Sequence, residues 1–255
     1  MKRPSYHWWR TVFFLIPAIA LYSIVLGTIS LFSSFVDRRG RFAHGCARAW
    51  SRLILVTTGV RVEVSGLEQL TPGTTYVFVS NHQSIYDIPV VFWALPFQLR
   101  IIAKQSIGSF PFLGWHLRRT GHLLVDRRHP NTPVILQRWR QLLADGLSLI
   151  IFPEGTRSSD GCVGQFKSGS FLLAMEAGLP IVPLSITGTR FVMRKGLLTT
   201  RPGRVRLTVH APVSTSERSE TPDMAAAKRL AEQVRSVVEA RVTAEDRNIG
   251  TWPSN

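Results

Sequence analysis

The sequence predicts an α/β domain: a mixed, mostly parallel sheet flanked by helices, with an N-terminal membrane helix or helical hairpin. Short apolar runs typical of strands alternate with segments of helical periodicity through most of the 255 residues. Two of these runs, 76–79 and 147–152, are almost entirely apolar, as buried strands of a parallel sheet are. In addition, the 26 residues of 11–36 contain no charged side chain.

The apolar N-terminus predicts attachment to a membrane. Residues 11–36 are long enough to cross the roughly 30 Å hydrocarbon core as a helix. A helical hairpin in one leaflet is the alternative, because Pro17, Gly27, Ser33 and Ser34 are able to interrupt the helix. A cleaved signal peptide is disfavoured by the length of the run. The basic residues that follow the run favour a location of the rest of the chain on the cytoplasmic side.

The remaining elements follow from periodicity, turn residues and capping signals. We divide the chain into an anchor, 1–40, a catalytic domain, 41–247, and a tail, 248–255, that we expect to be disordered. Helices are expected at 42–57, 88–94, 133–146, 166–177 and from 222 onwards, and strands at 61–64, 76–79, 99–103, 147–152, 181–187 and 205–213.

The chain is strongly basic, with 31 Lys and Arg residues against 16 Asp and Glu and a formal net charge of +15. This excess favours a polyanionic partner: a nucleic acid, an anionic membrane surface or a phosphorylated substrate. No nucleic-acid recognition motif accompanies it, and the apolar N-terminus favours the membrane. Two cysteines are too few for a disulfide scaffold, and the scattered histidines lack metal-ligand spacing. We therefore expect neither a nucleic-acid partner nor a metal.

The first candidate site is the segment 81–87, NHQSIYD, which directly follows a predicted buried strand. In open α/β sheets, functional groups gather at the carboxyl ends of strands. His82 is suited to take a proton from a hydroxyl, and Asp87 to hold the imidazole in one tautomer. The two side chains converge only if His82 lies in the turn and Asp87 in the first turn of the next helix. The alternative is purely local structure, because Ser84 and Asp87 have capping-box spacing.

A second candidate site is the segment 152–158, FPEGTRS, which also follows a predicted buried strand. Arg157 is suited to hold a phosphate through a paired fork, and Glu154 to hydrogen-bond a sugar or glycerol hydroxyl. The alternative is a polar turn with a surface ion pair between them. Lys104, at the end of another predicted strand, and Arg127 are further candidate phosphate ligands. Their alternative is a solvated surface charge.

In order and approximate spacing, four segments resemble the motifs of the PlsC-type glycerolipid acyltransferases, the 1-acyl-glycerol-3-phosphate acyltransferases. His82 to Asp87 matches the NHxxxxD (HX4D) motif of that family. Residues 152–158 match its FPEGTRS block, the most specific of the four. Residues 104–127 resemble its second block, and 179–184 its proline-containing block.

The resemblance implies transfer of a fatty acyl group from acyl-CoA or acyl-carrier protein to 1-acyl-glycerol-3-phosphate, giving phosphatidic acid at a bacterial inner membrane. It implies no cofactor and no covalent acyl-enzyme. Other acceptors stay open: glycerol-3-phosphate, lyso-ornithine lipid or another lysophospholipid. A non-catalytic, basic lipid-binding protein is the alternative of a different class. The resemblance assigns the general-base role to His82, the orienting role to Asp87, and acceptor binding to Lys104, Arg127, Glu154, Gly155, Thr156 and Arg157.

Overall fold

A computed structural model describes residues 5–37, 39–109, 113–120, 122–125, 137–142, 145–215 and 222–249. In this part of the chain seven strands form one sheet in the order β1-β7-β6-β2-β5-β3-β4. Only β6 and β7 are antiparallel neighbours, which confirms the predicted mixed, mostly parallel sheet. The strands are β1 Val60–Ser65, β2 Val77–Ser80, β3 Leu99–Lys104, β4 Leu123–Val125, β5 Ser148–Ile151, β6 Ile181–Thr187 and β7 Gly203–Val209.

The strand directions give the sheet two different edges. The strands β6, β2, β5, β3 and β4 are mutually parallel, whereas β7 and β1 run the opposite way. We call the edge where the five parallel strands end the carboxyl edge, and the edge where they begin the amino edge. Functional groups of open α/β sheets lie at the carboxyl edge.

Helices cover both faces of the sheet. Side chains alternate along a strand, so Phe78 of β2 faces one hydrophobic core and its neighbours Val77 and Val79 face the other. The helices are α1 Tyr6–Ser33, α2 Arg41–Thr58, α3 Asp87–Ala94, α4 Leu113–Arg119, α5 Gly169–Glu176, α6 Thr189–Val192 and α7 Met224–Ile249, and residues 137–142 are also helical. The first core includes residues of α2 and α3, and the second includes residues of α5 and α7 together with Trp139.

The N-terminal helix α1 runs from Tyr6 to Ser33 through Pro17 and Gly27, two of the four positions at which a break was possible. Its first part contains a π-helical turn at Thr11–Leu15 just before the proline, whose missing N–H such a turn accommodates. The helix is long and apolar enough to cross a membrane, and only 6% of its most apolar stretch is buried. It is therefore not the core helix of a soluble domain.

Contacts along α1 dock it on the rest of the chain. Near its start, the Thr11 hydroxyl accepts a hydrogen bond from the Thr200 N–H, 2.9 Å. In its middle, Tyr22 Oη lies 3.0 Å from the Thr57 hydroxyl of α2. Just beyond its end, Arg119 Nε donates to the Ser34 hydroxyl, 2.7 Å. Both ends of α1 are thus held against the domain that carries the sheet.

The structure differs from the sequence-based expectation at several boundaries and in several short elements. Strand β7 ends at Val209 rather than at residue 213, because Pro212 has no N–H for the ladder; Val213 makes only an isolated bridge to Ile181. Helix α7 extends to Ile249, two residues into the predicted tail, since no helix breaker precedes Gly250. Strand β4 and helices α4 and α6 were not predicted, because segments this short carry no clear periodicity.

Candidate active site

The two candidate motifs meet at the carboxyl edge. Strands β2 and β5 are parallel neighbours, and Val79 pairs with Ile151. The chain leaves β2 after Ser80 and β5 after Ile151, so the segments 81–87 and 152–158 begin side by side. Pairing of strands therefore brings together residues that are more than 70 positions apart in sequence.

His82 and Asp87 form a hydrogen-bonded pair. His82 lies in the turn after β2 and Asp87 is the first residue of α3, the arrangement that convergence requires. His82 Nδ1 lies 2.7 Å from Asp87 Oδ2. Because a carboxylate oxygen accepts, Nδ1 carries the proton in this contact, and in the neutral imidazole Nε2 then has the free lone pair. The His82 side chain is 17% exposed, and within the described residues its Nε2 has no hydrogen-bond partner. It is therefore placed to accept a proton.

Both oxygens of the Asp87 carboxylate accept hydrogen bonds. Besides His82, its Oδ2 accepts hydrogen bonds from the N–H groups of Gln83, 2.8 Å, and Ser84, 2.9 Å. Its Oδ1 accepts from the Thr189 hydroxyl, 2.6 Å. The Ser84 contact is half of the capping box that the spacing allowed. Local capping and the contact with His82 are thus combined in one fully buried carboxylate, whose charge four donors compensate.

The FPEGTRS segment fixes the backbone and the ring of His82. Glu154 Oε1 accepts from the His82 N–H, 2.8 Å, and the Ser158 N–H donates to the His82 carbonyl, 2.7 Å. The Phe152 ring stacks on the imidazole, with centroids 4.3 Å apart. The second Glu154 oxygen accepts from the Gly164 N–H, 3.2 Å. Each Glu154 oxygen therefore accepts a hydrogen bond from a backbone N–H, and through the N–H of His82 this side chain positions His82.

Glu154 is a half-buried carboxyl group with a perturbed pKa. Burial raises the pKa of Glu154 above its usual range, although the two backbone N–H groups and His82 act in the opposite direction. Within the described residues it forms no ion pair with Arg157, so the alternative of a simple surface pair is not what the structure has.

The cationic side of the site is the 155–157 loop. Gly155 has φ 73°, where a Cβ would lie 3.1 Å from Lys167 Nζ, so glycine lets this lysine approach the loop. Lys195 Nζ donates to the Thr156 hydroxyl, 3.2 Å, and to the Arg157 carbonyl, 2.8 Å. Within the described residues the Arg157 guanidinium has no salt-bridge partner. This loop therefore presents cationic groups beside His82.

The two remaining predicted ligands are only partly visible. Lys104 is the last residue of β3, which pairs with β5, so its backbone lies at the carboxyl edge. Arg127 lies outside the described residues. Their role as phosphate ligands stays a prediction.

Sequence reasoning missed three positioning residues. The Asn81 side chain exchanges two 2.8 Å hydrogen bonds with the backbone of Ile186 in β6. Thr189 reaches Asp87 across 102 positions, and Lys195 reaches Thr156 across 39. Asn81 was detectable as the neighbour of His82 in the motif. Thr189 and Lys195 carried no such signal, because their roles depend on strand order.

No metal centre is visible in the described ranges, where no group of three or more His, Cys, Asp or Glu side chains is arranged to hold an ion. The expectation that the reaction needs no metal stays a prediction.

Comparison with known proteins first defines the class. Residues 61–187 match the family model described as Acyltransferase. A curated 1-acyl-sn-glycerol-3-phosphate acyltransferase from Pseudomonas aeruginosa is 31% identical over 196 residues, covering 73% of this chain and 74% of that protein. The chloroplastic 1-acyl-sn-glycerol-3-phosphate acyltransferase LPAT1 of Arabidopsis thaliana is 35% identical over 82% of this chain. The chain spans only about 60% of that plant relative's length.

The solved structures agree. The crystal structure of the 1-acyl-sn-glycerophosphate (LPA) acyltransferase PlsC from Thermotoga maritima superposes with a TM-score of 0.76 at 29% identity, covering 94% of this chain and 97% of that one. The chain belongs to the PlsC-type family of glycerolipid acyltransferases, as its motifs predicted.

Proposed function

We propose that this protein transfers a fatty acyl group from acyl-CoA or acyl-carrier protein to the sn-2 hydroxyl of 1-acyl-glycerol-3-phosphate. The observation that carries the proposal is the His82–Asp87 pair, with its Nε2 free to accept, beside the cationic 155–157 loop. The relatives' names, which specify 1-acyl-sn-glycerol-3-phosphate, support the choice of acceptor.

In the proposed mechanism His82 Nε2 takes the proton of the acceptor hydroxyl as its oxygen attacks the thioester carbonyl. Asp87 stabilises the imidazolium that forms and keeps Nδ1 protonated. The tetrahedral intermediate then expels the thiolate, which receives the proton from His82. One C–O bond forms, one C–S bond breaks, and the products are phosphatidic acid and free thiol. A thioester is already activated, so positioning and base catalysis suffice without a covalent acyl-enzyme.

Acceptor binding falls to the loop beside the pair. Arg157 is proposed to hold the acceptor phosphate through its planar fork, and Thr156 to contact the glycerol part. Lys195 adds a cation to the same loop. Lys104 and Arg127 are proposed to assist from the β3 side.

We propose that α1 attaches the protein to the bacterial inner membrane, with the catalytic domain on the cytoplasmic side. Large apolar side chains of α1 are exposed, among them Phe13, 65%, and Phe14, 58%. Such a surface is unfavourable in water. Because both ends of α1 are docked on the domain, the structure favours a helix lying along the membrane surface over a helix crossing the bilayer.

The test uses the purified full chain in detergent with oleoyl-CoA and lysophosphatidic acid, and follows thiol release together with phosphatidic acid formation. We expect both products from the wild type and neither from His82→Ala. A matched control is His210→Asn, since His210 is another histidine with a side-chain partner, Ser185 at 2.8 Å, on the α7 side of the sheet.

The outcomes separate the alternatives. Thiol release with glycerol-3-phosphate, lyso-ornithine lipid or another lysophospholipid, but not with lysophosphatidic acid, would keep the chemistry and replace the acceptor. Turnover by His82→Ala at the wild-type rate would exclude the general-base role. Absence of turnover with every donor and acceptor would favour the non-catalytic lipid-binding alternative.

A further inference from the structure

A large cavity lies outside the candidate active site, since no residue of the segments 81–87 and 152–158 lines it. It has a volume of about 1250 Å³ and is lined by Gln98 and Leu147, which precede strands β3 and β5, by Gln105, which follows β3, and by Gly40 between α1 and α2. The cavity therefore runs beside β3, whereas His82 follows β2, and β5 lies between these two strands. The six residues of β3 span roughly 20 Å at about 3.3 Å per residue.

The cavity is strongly cationic. Its walls hold six arginines and two aspartates, Asp37 and Asp145. Among the residues that the structure describes, none of the six arginines is paired with a carboxylate in a salt bridge. Like charges gathered around one space repel each other unless an anion joins them. The arginines are Arg39, Arg41, Arg100, Arg118, Arg119 and Arg138.

Arg100 is a buried arginine of this cavity whose hydrogen-bond partners in the described residues are all uncharged. It is only 3% exposed, and its two outer nitrogens donate to carbonyl oxygens, those of Leu99 at 3.0 Å and Arg39 at 3.5 Å. Its Nε is buried and has no partner in the described residues. Burial lowers the pKa of Arg100 to about 10, with Asp37 opposing. A buried guanidinium with an unused donor is costly, and an anion beside it would offset the cost of burying its charge.

The chain makes room for this guanidinium. Gly40 has φ 64°, and a Cβ at this position would lie 2.7 Å from Arg100 Nη2. Any other residue at 40 would therefore be strained and would displace Arg100 from the cavity wall.

An apolar pocket adjoins the cationic cavity. It has a volume of about 540 Å³ and is lined by Leu31, Phe32 and Phe35, with Arg118 and Arg119 shared between the two. The Arg119 guanidinium lies 4.0 Å above the Phe35 ring. Phe32 and Phe35 are 68% and 65% exposed. The cationic cavity and the apolar pocket thus meet at two shared arginines.

We propose that this pair of pockets binds an anionic diacyl phospholipid, with its phosphate among Arg100, Arg41 and Arg118 and its acyl chains against Phe32 and Phe35. A free anion would occupy only the cationic cavity. Because an apolar pocket adjoins this cavity, the structure favours a lipid over a free anion. This site is distinct from the His82–Asp87 pair and the 155–157 loop, because no residue of 81–87 or 152–158 lines either pocket. It holds the end of α1 at the lipid surface.

The test measures the thermal unfolding midpoint of the full chain in neutral detergent, titrated with dihexanoyl phosphatidylglycerol, which is neither acceptor nor product of the proposed reaction. Dihexanoyl phosphatidylcholine, inorganic phosphate and coenzyme A are the comparison ligands. We expect phosphatidylglycerol to raise the midpoint more than the other three, in the wild type and in His82→Ala alike.

Two variants probe the arginines. The double variant Arg41→Gln/Arg118→Gln changes exposed residues and should bind phosphatidylglycerol about tenfold more weakly or worse, because two charge-assisted contacts are lost. The control Arg61→Gln/Arg204→Gln removes the same charge from exposed residues of β1 and β7 and should bind normally. Arg100→Met should abolish the lipid-induced shift without lowering the lipid-free midpoint, since a buried charge is replaced by an apolar group of similar length.

The proposal is overturned by any of three results: an equal shift with inorganic phosphate, an equal shift with coenzyme A that the double variant removes, or unchanged lipid affinity in the double variant. Because His82→Ala is included, a failure of the proposed reaction and a failure of this site are separately visible.

Discussion

Asp87 is a single buried residue on which the orientation of His82 depends, since its carboxylate receives donors from His82, Gln83, Ser84 and Thr189. In Asp87→Asn one acceptor oxygen becomes an NH2 group that faces other donors. We expect kcat to fall by about two to four orders of magnitude, because the imidazole loses its tautomer and its compensating charge. Steady-state kinetics on purified protein with an unchanged circular dichroism spectrum measures this.

Thr189→Val is the matched control for Asp87, because it removes one donor from Oδ1 and leaves the contact with His82 intact. Its kcat should fall much less than that of Asp87→Asn. Equal losses in the two variants would mean that burial of the carboxylate, rather than its contact with His82, determines activity.

Lys195 acts on the acceptor loop through its contacts with Thr156 and the Arg157 carbonyl. We expect Arg157→Ala to raise the acceptor KM strongly with a smaller effect on kcat, and Lys195→Ala to raise it less, because Lys195 positions the loop. The neighbouring exposed Arg194→Ala removes the same charge without a contact to the loop and is the control. An acceptor KM that stays at the wild-type value in Arg157→Ala would exclude the phosphate role.

At the scale of elements, α2 is joined to α3 around His44, whose ring centroid lies 5.9 Å from that of Phe92. Burial, assisted by Arg100 and Arg48, lowers the pKa of His44 from 6.5 to about 4. The unfolded chain therefore binds a proton between these pH values that the folded chain does not. The contribution of the neutral His44 side chain to the free energy of unfolding is fully present above pH 6.5 and is lost as the pH falls toward 4.

The expected loss is about 3 kcal/mol when the whole interval is crossed. We expect the thermal midpoint to fall between neutral and acidic pH, and to fall less in His44→Gln, which has no group to protonate. A midpoint with the same pH dependence in both proteins would show that other groups, and not His44, govern acid sensitivity.

The central elements were predictable from the sequence for a physical reason. Strands β2, β5 and β6 are buried along their whole length, so every residue is apolar or small and the run is visible without periodicity. Strand β4 has three residues at the end of the sheet, too few for any pattern. Neighbouring strands are also not neighbours in sequence, so the contact of Glu154 with His82 became visible only with the strand order.

The residues of the site also divide into those that have a local signal in the sequence and those that have none. The segments that contain His82, Asp87 and Arg157 were conspicuous because they directly follow buried strands, and the resemblance to the family motifs assigned the roles of these residues. The contacts of Thr189 and Lys195 cross long sequence separations and have no local signature. The arginine cavity was not predicted either, because the composition shows the excess of positive charge but only the fold gathers part of that charge beside β3.

At the scale of the whole molecule, α1 relates the candidate active site to the proposed membrane surface. Its 28 residues extend about 42 Å at 1.5 Å per residue; the contact with Thr200 is made by Thr11 in the second turn, and the contact with Arg119 by Ser34 just beyond the end. Exposed apolar side chains lie along this length, whereas the helices on the other face of the sheet pack against the second core. One face of the molecule is therefore suited to lipid, and both ends of α1 belong to that face.

The position of α1 predicts that its two ends are accessible from the same side of a membrane. In a Cys162→Ser background, where the remaining Cys46 is buried, we introduce Tyr6→Cys or Val36→Cys at exposed positions near each end. With sealed inverted membrane vesicles, a membrane-impermeant thiol reagent should label both variants before the vesicles are lysed. A helix crossing the bilayer would leave one of the two unlabelled until lysis, because its ends would then be separated by the hydrocarbon core.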